Sequence, residues 1–269
     1  MKRAGMIDIG ANLASSSFER DLDEVIERAV EAEIDHIIIT GSDESSNQRA
    51  SELAQSNPGL LSSTAGLHPH HASQWSKAVF DQISDLIRQD HVVAIGETGL
   101  DYNRNLSTPE QQRIAFQAHL EIAATCKKPL FLHQRDAHDD FLAMMSSFPD
   151  LAHRSVVHCF TDTETALKEY LTLGTMIGIT GWLCDKKRGK ELRDIVRKIP
   201  LDRLMIESDA PYLMPHREKT KKTMKEKNRN EPCTLGQVAQ QLADCREESV
   251  ETVIAASSEN ACRLFGLKR

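Results

Sequence analysis

Eight short apolar runs recur along the chain, with successive starts 21 to 37 residues apart, and this repetition constrains the fold more than any other feature. They are GMIDIG from position 5, HIIITG from 36, SSTAGL from 62, VVAIGE from 92, PLFLH from 129, SVVHCF from 155, MIGITG from 176 and LMIESD from 204. A run without polar alternation must be buried on both faces, as strands of a covered parallel sheet are. Between the runs lie segments of helical period. Leu22, Val25, Ile26, Ala29 and Val30 fall on one helix face, and Val79, Ile83, Leu86 and Ile87 on another. Thr108, Pro109 and Gln111 write a helix start with a capping box, and Gly174 reads as a helix stop. Strand and helix alternating eight times in 269 residues predict a single-domain (β/α)8 barrel of the TIM type over 1–269, closed by C-terminal helices at about 234–265. An open doubly wound sheet is the alternative.

Composition narrows the class. No apolar run approaches the ~20 residues that cross a bilayer, and the N-terminus has no signal-peptide core, so a cytoplasmic protein without membrane contact is expected. The six cysteines (126, 159, 184, 233, 245 and 262) include no CxxC pair and read as reduced thiols. Net charge is −7, yet residues 216–229 hold seven Lys/Arg against two Glu, a local +5 that leaves −12 for the remainder. Taken alone this segment is a solvated loop. After the last strand of a barrel, it emerges on the active face.

Polar residues crowd the ends of the strands, where barrels of this kind place their active sites. The fourth run ends in Glu97, the fifth in His133, the sixth in His158, and the eighth in Glu207 and Asp209; His68, His70 and His71 follow the third. A lone strand-end histidine is more often structural than a ligand. Two imidazoles and two carboxylates on four strands suit one divalent cation, Zn²⁺, Mn²⁺ or a loosely held Mg²⁺. Such an ion draws the pKa of a water from ~15.7 toward ~7, and Asp209 is placed to take its proton. Arg135 lies two residues beyond His133 and offers a bidentate grip on phosphate, unless it pairs with Asp136 or Asp139. Arg104, His70, Arg229, Lys221 and Lys222 are further anion contacts around the rim, and Trp75 and Tyr212 are candidates for stacking bases.

With these residues in place the chain resembles the TatD family of metal-dependent deoxyribonucleases, within the amidohydrolase-like barrels. The matching segments are GLHPHH, AIGETGLDYNRN, PLFLHQRDAH, VVHCFT, IGITGW, IESDAPYLMP, RNEPC and NACRLFGL, in the family's order along essentially the whole chain. The resemblance implies metal ligands at Glu97, His133, His158 and Asp209. It places His68 and His70 on an HPH element beside the substrate, so that His68 joins Asp209 and Glu97 in the catalytic group. It implies phosphodiester hydrolysis of DNA, exonucleolytic on single strands from the 3′ end, with Mg²⁺ and with RNA as a further substrate to test, by a monomer. One departure stands at strand one. Most members carry Asp-x-His-x-His there; this chain has DIGANL, with Asp8 kept and Gly10 and Asn12 in place of the histidines, the form of the bacterial branch. One tight ion is therefore expected, with any second ion weak and substrate-assisted. Two other readings are a different hydrolase on this barrel, acting on a small ester, amide or phosphate ester, and a nucleic-acid-binding protein that has lost catalysis.

Overall fold

The computed structural model describes residues 5–215 and 229–268. Its strands are β1 (Met6–Ala11), β2 (Ile34–Ile39), β3 (Leu61–Ala65), β4 (Val92–Asp101), β5 (Leu130–Arg135), β6 (Ser155–Val157), β7 (Met176–Ile179) and β8 (Leu204–Ile206). All seven ladders are parallel and neighbours follow chain order. The two ends of the sheet meet: the Asp209 N–H donates to Gly10 O at 2.9 Å and the Asn12 N–H to Ala210 O at 2.7 Å. The result is a (β/α)8 barrel rather than an open sheet.

The major helices are α1 (Leu22–Glu31), α2 (Glu44–Ser56), α3 (Lys77–Leu86), α4 (Pro109–Ala124), α5 (His138–Ser146), α6 (Pro149–Ala152), α7 (Glu164–Leu173), α8 (Lys190–Ile195), α9 (Leu235–Arg246) and α10 (Val250–Phe265). The cap signals act as their chemistry requires. Thr108 accepts from the Gln111 N–H while Gln111 accepts from the Thr108 N–H, and Gly174 closes α7 at φ 92°. Val25 and Ala29 of α1 are buried as the period predicts, but Val30 is 51 % exposed. It lies one residue beyond Ala29, about 100° round the helix, and so turns off the buried stripe.

The core has two parts. Inside the barrel, Ile7, Ile9, Ile38, Val93, Phe131, Val156, Met176 and Met205 pack together, and Ala261 and Phe265 of α10 join them. Outside, Val79 and Ile83 of α3 and Phe116 and Leu120 of α4 pack in the layer between sheet and helices. The six cysteines are free. Among the described residues no helix is long and apolar enough to cross a membrane.

Candidate active site

The strand ends converge as the sequence requires. Glu97 Oε1 lies 2.9 Å from His133 Nδ1 and 2.7 Å from His158 Nε2, and the two nitrogens are 3.4 Å apart. Three donors from β4, β5 and the residue after β6 thus face one point. The register between β4 and β5 shifts between Ile95 and Thr98, which is where Glu97 sits; such irregularities re-aim side chains beside active sites. β4 also runs further than its first apolar stretch. Thr98 through Asp101 pair with Leu132 through Arg135, so Glu97 is within a strand rather than at its end.

Each of the two histidines has a carboxylate behind it. His133 Nε2 is 3.3 Å from Asp101 Oδ2, and His158 Nδ1 is 3.3 Å from Glu207 Oε2. Metal-ligating histidines are characteristically backed in this way, because the outer carboxylate fixes the ring and raises its basicity. The donor set therefore fits a divalent cation held by Glu97, His133 and His158. His68 Nε2 is 3.3 Å from the same Glu97 oxygen, and His68 also belongs to a candidate ligand triplet with Glu97 and His133. Its Nδ1, however, accepts the His70 backbone N–H at 3.0 Å. In the neutral ring the proton must then sit on Nε2, so His68 donates to Glu97 instead of ligating. His70 Nε2 contacts Asp101 Oδ2 at 2.8 Å, and the Asn103 and Arg104 N–H groups donate to Asp101 Oδ1 at 3.0 and 2.8 Å.

The electrostatics follow from this packing. Burial alone would raise the Glu97 carboxyl, but the fields of His158 and His68 and hydrogen bonds from His133 and His158 hold it well below the carboxylate range. Asp101 is likewise lowered against the effect of burial, by the close approach of His133 and the hydrogen bond from His70. Burial would lower both ligating histidines; Asp101 and Glu97 reverse this for His133, and Glu97 and Glu207 lift His158 well above the imidazole range. His68, where burial wins, falls to about 4. Burial pushes Asp209 up to about 8; His158 and His133 pull it down, while Glu97 and Glu207 push it further up. Asp209 stands at this same mouth, and Asn12 Nδ2 donates to its Oδ1 at 3.2 Å.

Strand one is filled differently from the family's usual pattern. A Cβ at Gly10 would come within 2.7 Å of Glu207 Oε2 and 2.9 Å of Phe131 Cζ, and one at Gly178 within 2.6 Å of Glu207 Oε1. The Glu207 carboxylate thus occupies the space that a strand-one side chain would need. Asp8 Oδ1 accepts the Gly10 and Ser208 N–H groups at 3.3 and 2.9 Å, its Oδ2 has no hydrogen-bond partner among the described residues, and burial raises its carboxyl to about 7.

The rim residues divide. Arg135 and Arg104 remain at the mouth, and neither forms an ion pair among the described residues. Arg229 does not serve the rim: the residue is 6 % exposed, and its guanidinium donates to both Asp21 oxygens at 2.8 Å, to Glu231 at 3.0 Å and to Ser17 O at 2.6 Å. Glu231, two residues on, and Asp21, 208 positions back, claim it, and the second partnership no local pattern reveals. Trp75 packs against His119 and Phe80, at ring separations of 5.2 and 6.2 Å, as core filling, whereas Tyr212 is 58 % exposed. Lys221 and Lys222 lie outside the described residues. Asp101 went unremarked in the sequence, although it is four residues past Glu97 in an extended segment and so shares its face.

Fold and site together define a metal-dependent hydrolase of the parallel-barrel type. Residues 7–266 match the family described as TatD related DNase, and the chain belongs to that family. It is 48 % identical over 262 residues to the 3′-5′ ssDNA/RNA exonuclease TatD of Pectobacterium carotovorum, covering 97 % of this chain and 100 % of that one. The protein of the same name from Erwinia billingiae is 47 % identical over 262 residues, covering 97 % and 99 %. Among solved structures, a TatD homologue from Escherichia coli superposes with a TM-score of 0.88 at 26 % identity, over 98 % of each chain. A TatD-family hydrolase from Entamoeba histolytica gives 0.86 at 27 %, over the whole of both.

Proposed function

We propose that this chain is a divalent-metal-dependent exonuclease that removes nucleotides from the 3′ end of single-stranded DNA, with RNA as a second substrate. The observation that carries this is the mutual approach of Glu97 Oε1, His133 Nδ1 and His158 Nε2, no two further apart than 3.4 Å, each histidine backed by a carboxylate. The names of the relatives, exonucleases on ssDNA and RNA, supply the substrate and the polarity. A cation held there supplies Lewis acidity, bringing the ionisation of water within reach of neutral pH and polarising a phosphoryl oxygen. Mg²⁺ is our choice for activity; Zn²⁺ and Mn²⁺ suit the same donors.

The chain's own groups do the rest. Asp209 takes a proton from the attacking water: Asn12 holds its Oδ1, and a cation in the neighbouring cluster would favour the ionised form of a carboxyl that burial otherwise raises to about 8. His68 steadies the Glu97 carboxylate, His70 faces the incoming strand from Asp101, and Arg135 and Arg104 offer charge to its phosphates. Lys221 and Lys222, in the basic segment, extend that attraction. We further place the enzyme in the cytoplasm as a monomer, one barrel domain over 1–269, with a single tight ion.

The test is hydrolysis of single strands labelled at the 5′ or 3′ end, under chelation and after metal is restored. Mononucleotides should leave from the 3′ end only when metal is present. Loss of an outer partner of a metal ligand typically costs 10- to 100-fold, so Glu97→Ala or His133→Ala should cost more than about 100-fold while the barrel stays folded at the assay temperature. Wild-type turnover by either variant would remove the assigned site.

A further inference from the structure

We propose that Arg135, held open by Trp182, grips the phosphate one linkage upstream of the bond that is cut. This rests on the exonuclease reading and names the subsite that sets the register of the strand.

Phe131, His133 and Arg135 alternate onto the same face of β5. Phe131 lies in the barrel interior with its ring 4.6 Å from that of His158, and His133 holds the donor cluster above it. Arg135 is one step higher, about 6.6 Å along the strand from His133, a length comparable to one nucleotide of an extended single strand.

Nearby acids would ordinarily neutralise such an arginine, and three of them, Asp101, Asp136 and Asp140, are engaged elsewhere. Asp101 is in register with Arg135, yet its oxygens serve His70 and the N–H groups of Asn103 and Arg104. Asp136 Oδ2 accepts from Asn103 Nδ2 at 2.6 Å. Asp140 Oδ2 accepts from the Tyr102 hydroxyl at 2.6 Å and from Arg113 at 3.1 Å. Among the described residues no carboxylate pairs with Arg135. Its guanidinium instead lies over the Trp182 ring, 5.9 Å from the centroid. That ring is fixed in turn: its Nε1–H donates to Arg188 O at 3.2 Å, and the Arg188 guanidinium sits 4.4 Å from the centroid, anchored to Asp185 at 2.9 Å.

An aromatic face orients a guanidinium without cancelling its charge, so its donors stay available for phosphate oxygens. Position agrees with this. β6 lies between β5 and β7, so a contact from the end of β5 to the segment after β7 spans the end of β6, where His158 stands. A strand with its cleaved phosphate at the donor cluster then presents its next phosphate to Arg135.

The test uses single strands carrying one uncharged methylphosphonate, either at the second linkage from the 3′ end or five linkages further away. For the wild type, the near substitution should raise KM by about 10-fold or more, the fold-change of one charged hydrogen bond, and the distant one should not. Arg135→Ala should show the same rise on the native strand and no further rise on the near-substituted one, with KM moving more than kcat. Trp182→Ala should reproduce this pattern at constant charge, and Trp182→Phe should restore most of the affinity. The proposal is overturned if the losses from Arg135→Ala and from the near methylphosphonate multiply. It is equally overturned if both Trp182 variants lower kcat alone. If wild-type enzyme with metal releases nothing from any strand, the exonuclease reading itself has failed. If it degrades strands without this coupling, only the grip has.

Discussion

Replacing Arg229 with methionine separates a structural arginine from a substrate-binding one. The guanidinium joins the loop before α1 to the chain entering α9, with four hydrogen bonds of 2.6 to 3.0 Å and its Cζ 4.7 Å from the Phe18 ring. Breaking a buried pair by removing one partner costs ~3–5 kcal/mol, because the charge left behind stays desolvated. Arg28 remains against Glu231 at 2.7 Å and against Asp21 at 3.5 Å, which places the loss at the low end, about 3 kcal/mol. At roughly 2 °C per kcal/mol for a chain of this length, the melting temperature should fall by about 6 °C. Thermal and urea unfolding at pH 7 measure this, and KM for a single strand, taken well below the transition, should match the wild type. A variant that melts with the wild type but binds DNA more weakly would return Arg229 to the rim.

Metal binding should release protons. Asp101 and Glu97 raise His133, and Glu97 and Glu207 lift His158 well above the ordinary imidazole value; only the neutral ring ligates, so affinity should rise with pH until both are deprotonated. Calorimetry in buffers of different ionisation heat should find net proton release on metal binding that diminishes as pH rises, and no release at any pH would refute the ligand assignment. Restoring the family's histidine with Gly10→His should cost ~1–3 kcal/mol of stability, since its Cβ would meet Glu207 and Phe131, and should add no tight ion. Two fully occupied ions in anomalous scattering of the substrate-free enzyme, wild type or variant, would contradict this. Neutralising Lys221, Lys222 and Lys225 together should weaken DNA binding and flatten its salt dependence by about one logarithmic unit per lost phosphate contact. An unchanged slope would make that segment a solvated loop.

The barrel was legible because burial on both faces of a strand leaves a contiguous apolar run, and eight such runs leave few topologies. The ligands were legible for a related reason: Glu97, His133 and His158 break those runs at one end, where nothing in a core calls for a charge. What escaped was pairwise. Arg229 looks like its lysine-rich neighbours, and only the fold brings Asp21 to it across 208 positions of chain. Asp101 sits behind His133 because β4 runs on in register with β5, a continuation that "GLD" does not announce in a sequence of mixed polarity. Val30 was misjudged by one step of helical phase, an error that periodicity alone cannot resolve at a helix end.

The altered first strand and the carboxylate-backed histidines support one account of the ion count. With His133 and His158 both protonated, the cluster sets the carboxylates of Glu97, Asp101 and Glu207 against two imidazolium rings, a formal charge of −1 in a buried site. Exchanging two imidazolium protons for one divalent cation leaves that charge unchanged, so a first ion enters without a new electrostatic penalty. A second would add two positive charges beside Asp8 and Asp209, whose carboxyls burial raises to about 7 and about 8 and so holds partly uncharged. At strand one it would find Gly10, which offers no donor, and Asn12, whose amide is already turned to Asp209. Glu207, lying against Gly10 and Gly178 with its oxygens on His158 and the Cys159 N–H, is committed to holding the first ion's ligand. With the Asp8 and Asp209 carboxyls disfavoured as anions by burial, the substrate's own phosphates are the readier source of the negative charge that balances a second cation. On this argument the strand-one substitution changes when a second ion can bind, and leaves the single-ion core of the reaction in place.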